Sequence, residues 1–163
     1  MFFAGPPPHL KDKPIVCSKQ AIAMLCTSSI SAFTAIYAIY RGHYFCSLAP
    51  AGVFITSINY WRHPTYGWRR TLDVTYVMVA FLFMLIVAYY ASHGSRYYII
   101  SALASLCYPL SHYFHNNGHE YMGTLMHSYI HILGNIALFV IFSGDIPRLL
   151  EVAPETTEAS TTH

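Results

Sequence analysis

The stretch "VTYVMVAFLFMLIVAYYAS", residues 74–92, is almost entirely apolar and contains no charged side chain. The hydrocarbon core of a bilayer is about 30 Å thick, and a helix of roughly 20 residues spans it. A backbone in lipid must satisfy its own hydrogen bonds, so a run of this length indicates a membrane-spanning helix. A barrel strand is not indicated, because the run lacks the alternation of polar and apolar residues that a membrane barrel needs.

Four other stretches share this length and apolar character. They are residues 20–40, 44–61, 97–114 and 124–143. The stretch 97–114 is the weakest of them, because Pro109 lies inside it. Tyrosines and tryptophans crowd the ends of the stretches, as expected at the two interfaces of a membrane. The sequence therefore predicts an all-α, integral membrane bundle of about five transmembrane helices.

The overall composition agrees with a membrane location. Hydrophobic residues make up 55% of the chain and charged residues only 10%, against about 25% charged residues in a typical soluble domain. The net charge of +2 is too small to indicate a nucleic acid as partner. We therefore expect membrane lipids as partners, with other membrane protein subunits as a further option, and no nucleic acid.

The two ends of the chain differ from its middle. Residues 1–16 form a tail rich in proline, and residues 151–163 form a polar tail. A polar segment of this kind cannot bury enough apolar surface to fold, so disorder is the expectation for residues 151–163. The transmembrane helical domain is predicted to occupy residues 17–150.

Five spans would place the two termini on opposite sides of the membrane. We call the side of the N-terminus side A and the opposite one side B. Six basic residues fall on side A, namely Lys11, Lys13, Lys19, Arg62, Arg69 and Arg70. Three fall on side B, namely Arg41, Arg96 and Arg148. Because basic residues are enriched in cytoplasmic loops, side A is predicted to be cytoplasmic, or the matrix side in an organelle.

Polar side chains gather near side A, at the ends of four of the predicted helices. The group includes six of the ten histidines of the chain. Its members are Ser57, Asn59, His63, Asp73, His112, His115, His119, Glu120, His127 and His131. Ionisable groups inside membrane segments are costly and mark functional sites by default. This end of the bundle is therefore the predicted site.

A pair of histidines at the start of the last span suggests a metal. His127 and His131 are four residues apart, so on a helix both imidazoles lie on one face and can reach one ion. His63, which follows the second span, is the candidate for a third ligand. Three protein ligands and one open position for water are typical of a catalytic zinc site. Bound zinc can lower the pKa of its water to about 7.

Two further side chains are candidates for catalysis at this site. Asp73 lies about one turn inside the third span and would serve beside the metal or as general base. Ser57 lies deeper on the second span and could donate to a substrate carbonyl oxygen. Structural alternatives stay open: Asp73 could form an ion pair with Arg69 or Arg70, and the Ser57 hydroxyl could serve helix packing or bond its own helix.

The order of these motifs resembles that of the CREST superfamily of membrane hydrolases, which includes alkaline ceramidases, adiponectin and progestin receptors, and Per1-like proteins. The matching motifs are "SINYWRH" at 57–63, "RRTLD" at 69–73 and "HSYIH" at 127–131. The resemblance implies that three histidines hold zinc while the aspartate and the serine attend the zinc-bound water. It further implies hydrolysis of a lipid amide or ester, or lipid binding in a relative that has lost activity.

Two other functions are compatible with the same residues. The run H-x-x-H-x-x-x-H at 112–119, followed by His127 and His131, could hold iron in a di-iron lipid hydroxylase or desaturase. A non-catalytic role, as a small subunit of a larger membrane assembly or as a lipid-binding scaffold, would need no metal. We favour the zinc-dependent lipid hydrolase among these three.

Overall fold

The computed structural model describes residues 15–147, which form five α-helices joined by short turns. The helices are α1 (Ser18–Tyr40), α2 (Tyr44–Trp61), α3 (Trp68–Tyr90), α4 (Gly94–Asn116) and α5 (Glu120–Ser143). The predicted all-α fold is confirmed. Four helices cover their predicted apolar stretches completely, and α3 ends two residues before its stretch does. Residues 1–14 and 148–163 lie outside the described part, and with them most of both predicted tails and the basic residues Lys11, Lys13 and Arg148.

Three of the five helices, α1, α3 and α5, are long and apolar enough to cross a membrane. The helices α2 and α4 do not reach this level of hydropathy, although the sequence predicts spans there. The reason lies in their polar content: α2 carries Thr56, Ser57 and Asn59, and α4 carries Ser111 and His112.

The chain runs up and down through the bundle. Turns of three to six residues, such as 41–43 and 62–67, are too short to let the chain cross the bundle, so consecutive helices are antiparallel. Each helix packs against its neighbours in sequence, and α5 returns to pack against α1. The five helices therefore form a closed ring of contacts, whose loosest seam lies between α3 and α4.

Contacts at successive levels show that α1 and α5 run in the same direction. Near the middle, the Thr34 hydroxyl donates to Asn135 Oδ1 over 2.7 Å. At side B, Arg41 donates to the Ser143 carbonyl oxygen over 2.9 Å. The residue numbers rise together along the two helices, as they must if both begin at side A.

Many of the buried residues in the bundle are small, although Phe142, Met24 and Met84 are buried as well. Alanines such as Ala38 and Ala137 are fully buried, as is Ser28, whereas Phe33 and Ile36 are 66% and 63% exposed. Small residues at helix contacts and large apolar residues facing outward are typical of membrane helices, whose surroundings are as apolar as the side chains themselves. The packing therefore agrees with the span prediction for the bundle as a whole.

Two residues of the predicted N-terminal tail, Ile15 and Val16, contact the end of α2. The backbone N–H of Ile15 donates to the Pro64 carbonyl oxygen over 2.8 Å. Ile15 and Val16 also pack against Tyr60 and Trp61 at the end of α2. Residues 15 and 16 are therefore partly buried against the bundle.

Candidate functional site

The structure brings the two predicted catalytic residues together. Asp73, one turn into α3, is buried. Its Oδ1 atom accepts a hydrogen bond of 2.7 Å from the Ser57 hydroxyl. The same oxygen accepts a second hydrogen bond of 3.0 Å from Thr56 Oγ1. Two hydroxyls of α2 therefore hold one carboxylate of α3, which joins the two helices at side A.

The alternative ion pair between Asp73 and the preceding arginines is absent from the described residues. Arg69 lies over the Trp68 ring, with its guanidinium carbon 5.6 Å from the ring centroid. Arg70 lies over Tyr66 at 5.7 Å. Both guanidinium groups therefore lie over aromatic rings, and the Asp73 carboxylate has the hydroxyls of α2 as its partners.

The hydrogen bond also changes the role that Ser57 can have. Its single hydroxyl proton points at Asp73, so Ser57 cannot donate to a substrate carbonyl while this bond persists. Ser57 is fully buried, and its hydroxyl does not bond its own helix as the structural alternative would require. Thr56, the second donor, is not selected from the sequence because a threonine in a membrane span usually bonds its own backbone. Its hydroxyl has such a contact as well, a longer one of 3.3 Å to the Val53 carbonyl oxygen.

His127 and His131 lie one turn apart on α5, as the sequence predicts. Their ring centroids are 5.4 Å apart and the rings are inclined by 45°. Two imidazoles that share one ion at Zn–N distances of about 2.0–2.1 Å can have this spacing. The Nε2 atom of His131 is buried and has no hydrogen-bond partner among residues 15–147. The pair therefore fits two of the three predicted zinc ligands.

The third predicted ligand, His63, does not join this pair. It is exposed and lies two residues beyond the end of α2, in the turn before α3. The helix ends before Pro64 because a proline disfavours helical geometry in the residue before it. Within the described chain, no group of three or more His, Cys, Asp or Glu side chains is arranged to hold a metal ion. The structure thus assembles two of the three histidines.

An indole occupies the place beside His127. Trp61 follows Ser57 by one turn of α2, and its ring meets that of His127 edge-on, with centroids 5.3 Å apart. Trp61 is buried, and no residue in 15–147 accepts a hydrogen bond from its Nε1. No sequence pattern selects Trp61, because a tryptophan at a helix end is typical of the interfacial belt.

The remaining histidines of side A lie near the turn between α4 and α5. His112 and His115 belong to α4, which packs against α5. The His115 ring covers Gly123 of α5, where a Cβ atom would come within 2.6 Å of it. His119 is exposed at the start of α5. An iron site that uses these histidines stays a prediction.

A shallow cleft of about 470 Å³ opens nearby, lined by Gln20 and residues 118–122. None of the predicted zinc ligands or catalytic residues lines it, whereas His119 of the candidate iron site does. The cleft lies at the turn between α4 and α5, next to the start of α1.

The chain matches no protein-family model, no curated protein and no solved structure. The resemblance to the CREST hydrolases therefore stays a prediction that rests on three short motifs.

Proposed function

We propose that this chain is a membrane-embedded, zinc-dependent hydrolase that acts on an amide or ester bond of a lipid. One observation carries the proposal. His127 and His131, a pair with a buried and unpartnered ring nitrogen, lie at the same end of the bundle as the buried hydrogen bond between Ser57 and Asp73.

Each residue of the site has a separate role in this proposal. His127 and His131 would hold the zinc ion, which when bound supplies Lewis acidity and an activated water. Asp73 would accept a proton, and Ser57 and Thr56 would fix the direction of its carboxylate. A third ligand from His63 would require the turn between α2 and α3 to take another path.

We propose further that all five helices cross the bilayer. The helices α1, α3 and α5 run in one direction, so α2 and α4 must return through the same thickness. Their 18 and 23 residues correspond to about 27 and 35 Å at 1.5 Å per residue, and both lengths fall in the range of about 17–25 residues found for spans of a core of about 30 Å. Side A would face the cytoplasm or the matrix.

Release of fatty acid from lipid amides and esters tests the proposed activity. The purified protein in alkyl maltoside should release fatty acid from at least one lipid of such a panel. Asp73→Asn should lower the rate by about 10²–10⁴-fold, the usual contribution of a general base. Asn117→Ala, in an exposed turn, is the matched control and should leave the rate unchanged. Equal rates for Asp73→Asn and the wild type would contradict the assigned role.

A second function is favoured by the position of Trp61. Its buried ring lies edge-on against His127. This arrangement fits a lipid-binding scaffold, or a small subunit of a larger membrane assembly, in which the polar residues serve packing. It predicts neither zinc nor fatty acid release, and full stability after alanine replaces His127 or His131.

A further inference from the structure

Three buried polar atoms in the side A half of the bundle have no hydrogen-bond partner among residues 15–147. They are Ser28 Oγ, Trp61 Nε1 and His131 Nε2. Ser28 is fully buried and Trp61 is only 6% exposed. Buried polar groups are almost always paired, so a group of unpaired ones calls for a bound molecule that completes them.

The packing of α1, α2 and α5 places these three side chains in neighbouring turns of the bundle. Trp61 belongs to one buried cluster with Tyr60 and with Met24 of α1, and its ring meets that of His127 of α5. Ser28 follows Met24 by one helical turn, and His131 follows His127 by one turn. Because α1 and α5 are parallel, both steps lead in the same direction, and Ser28 and His131 reach the same level.

The next turn of the two helices agrees with this placement. Asn135 Nδ2 donates to Ser31 Oγ over 3.1 Å. Ser31 lies one turn after Ser28 on α1, and Asn135 one turn after His131 on α5. The unpaired atoms of Ser28 and His131 therefore lie between this polar contact and the Trp61 indole.

The chemistry of the three groups defines what they can bind. An indole N–H only donates, whereas a serine hydroxyl and a neutral imidazole can donate or accept. The ligand must therefore present an acceptor to Trp61. The side chains of α1 next to the indole, among them Ala23 and Met24, are apolar and favour an uncharged group.

We propose that Ser28 and Trp61 form a binding site for the carbonyl oxygen of a lipid amide or ester, next to His131. The choice of lipid rests on the proposed function, which requires such a carbonyl group near His131. Ser57, which the sequence assigns to the carbonyl, donates to Asp73 instead. The donors that remain for the substrate oxygen are those of Trp61 and Ser28.

The indole N–H of Trp61 can report on this site directly. The chain contains two tryptophans, so Trp68→Phe leaves a single indole signal in a ¹⁵N-labelled sample. The full chain in dodecyl maltoside would be titrated with dodecanamide, which presents a carbonyl, and with dodecane, which presents none. We expect a saturable downfield shift of the indole proton with the amide and no shift with the alkane.

A matched pair of neighbouring serines identifies the second donor. Ser28→Ala should raise the apparent Kd for dodecanamide roughly fivefold, as expected from the loss of one hydrogen bond. Ser29→Ala should leave it unchanged, because the Ser29 hydroxyl donates within its own helix to Leu25 O. Unfolding curves of both variants show whether the fold is kept.

The outcomes separate this proposal from the hydrolase. No shift with the amide, or equal shifts with amide and alkane, overturns the carbonyl site even if zinc is bound. A downfield indole signal that does not respond to the amide indicates an ordered water only, and also overturns it. A saturable shift in a protein that binds no zinc supports the carbonyl site and contradicts the proposed hydrolase function.

Discussion

At the scale of single residues, the carboxylate of Asp73 shows what the sequence could predict. A charge inside a membrane segment must have partners, which selects Asp73 without any structure. The identity of the partners depends on which helix face turns toward it. Arg69 and Arg70 are nearest in sequence, yet both lie over aromatic rings, and the hydroxyls of α2 take their place.

Asp73→Ala should destabilise the bundle by about 1–3 kcal/mol, because it leaves the buried hydroxyl of Ser57 without an acceptor. Asp73→Asn keeps a side-chain oxygen that can accept both hydrogen bonds, so this variant should lose less stability than Asp73→Ala. Unfolding by SDS in mixed micelles measures both variants. Equal stability of the alanine variant and the wild type would show that the hydrogen bonds do not support the fold.

The histidines show which features of the site the sequence predicts and which depend on packing. Their spacing of four residues places His127 and His131 on one face of α5, as observed. His63 was selected by its motif, but α2 ends at Trp61, which leaves His63 outside the helix. No local pattern reveals that the indole of Trp61 meets His127, since that contact depends on how α2 and α5 pack.

At the scale of helices, side-chain hydrogen bonds and a close ring contact hold neighbouring helices together. Asn135 links α5 to α1 by accepting from Thr34 and donating to Ser31. Tyr76 links α3 to α2, with its ring over Gly52 and its hydroxyl bound to Leu48 O over 2.8 Å. The apolar pattern predicts the helices themselves, but such pairings join residues far apart in sequence and leave no periodic signal.

Asn135→Ala should weaken the contact between α1 and α5 by about 1–2 kcal/mol, the usual range for polar pairs between membrane helices. Ser105→Ala is the control, because this exposed serine bonds only the backbone of its own helix. The free energy of unfolding in mixed micelles compares them. A loss as large for Ser105→Ala would mean that the assay does not report on helix packing.

Gly52→Ala should cost about 1–3 kcal/mol as an overpacked contact. The added Cβ would overlap the Tyr76 ring, which its hydrogen bond to Leu48 holds in place. Gly134→Ala on α5 meets nothing within 4 Å and should be neutral or gain up to about 1 kcal/mol from helix propensity. Thermal unfolding in detergent ranks the two variants, and the reverse order would refute the close approach.

At the scale of the whole molecule, the apolar stretches of the sequence predict the number of helices. That α2 and α4 also cross the membrane is inferred from how the five helices pack. Hydropathy alone selects α1, α3 and α5. The polar residues that lower the hydropathy of α2 include Thr56 and Ser57, and both donate to Asp73. Their polarity is satisfied inside the protein, so it need not keep α2 out of the membrane.

Cysteine labelling in proteoliposomes tests whether α4 crosses. Ser95→Cys lies at the side B end of α4 and Asn117→Cys at its side A end, and both positions are exposed. In a background without the four native cysteines, a maleimide that cannot pass the membrane should reach these two sites from opposite sides. Labelling of both from the same side would contradict the five-helix crossing.

Zinc content is the measurement that tests the central claim most directly. We predict about one zinc ion per chain in the detergent-purified protein and none in the double variant His127→Ala, His131→Ala. His63→Ala decides the third ligand: retained zinc agrees with the exposed position of His63, and lost zinc restores it to the site. Near two iron ions per chain would favour the di-iron alternative. No metal in a well-folded wild-type preparation would contradict the hydrolase and leave the lipid-binding scaffold.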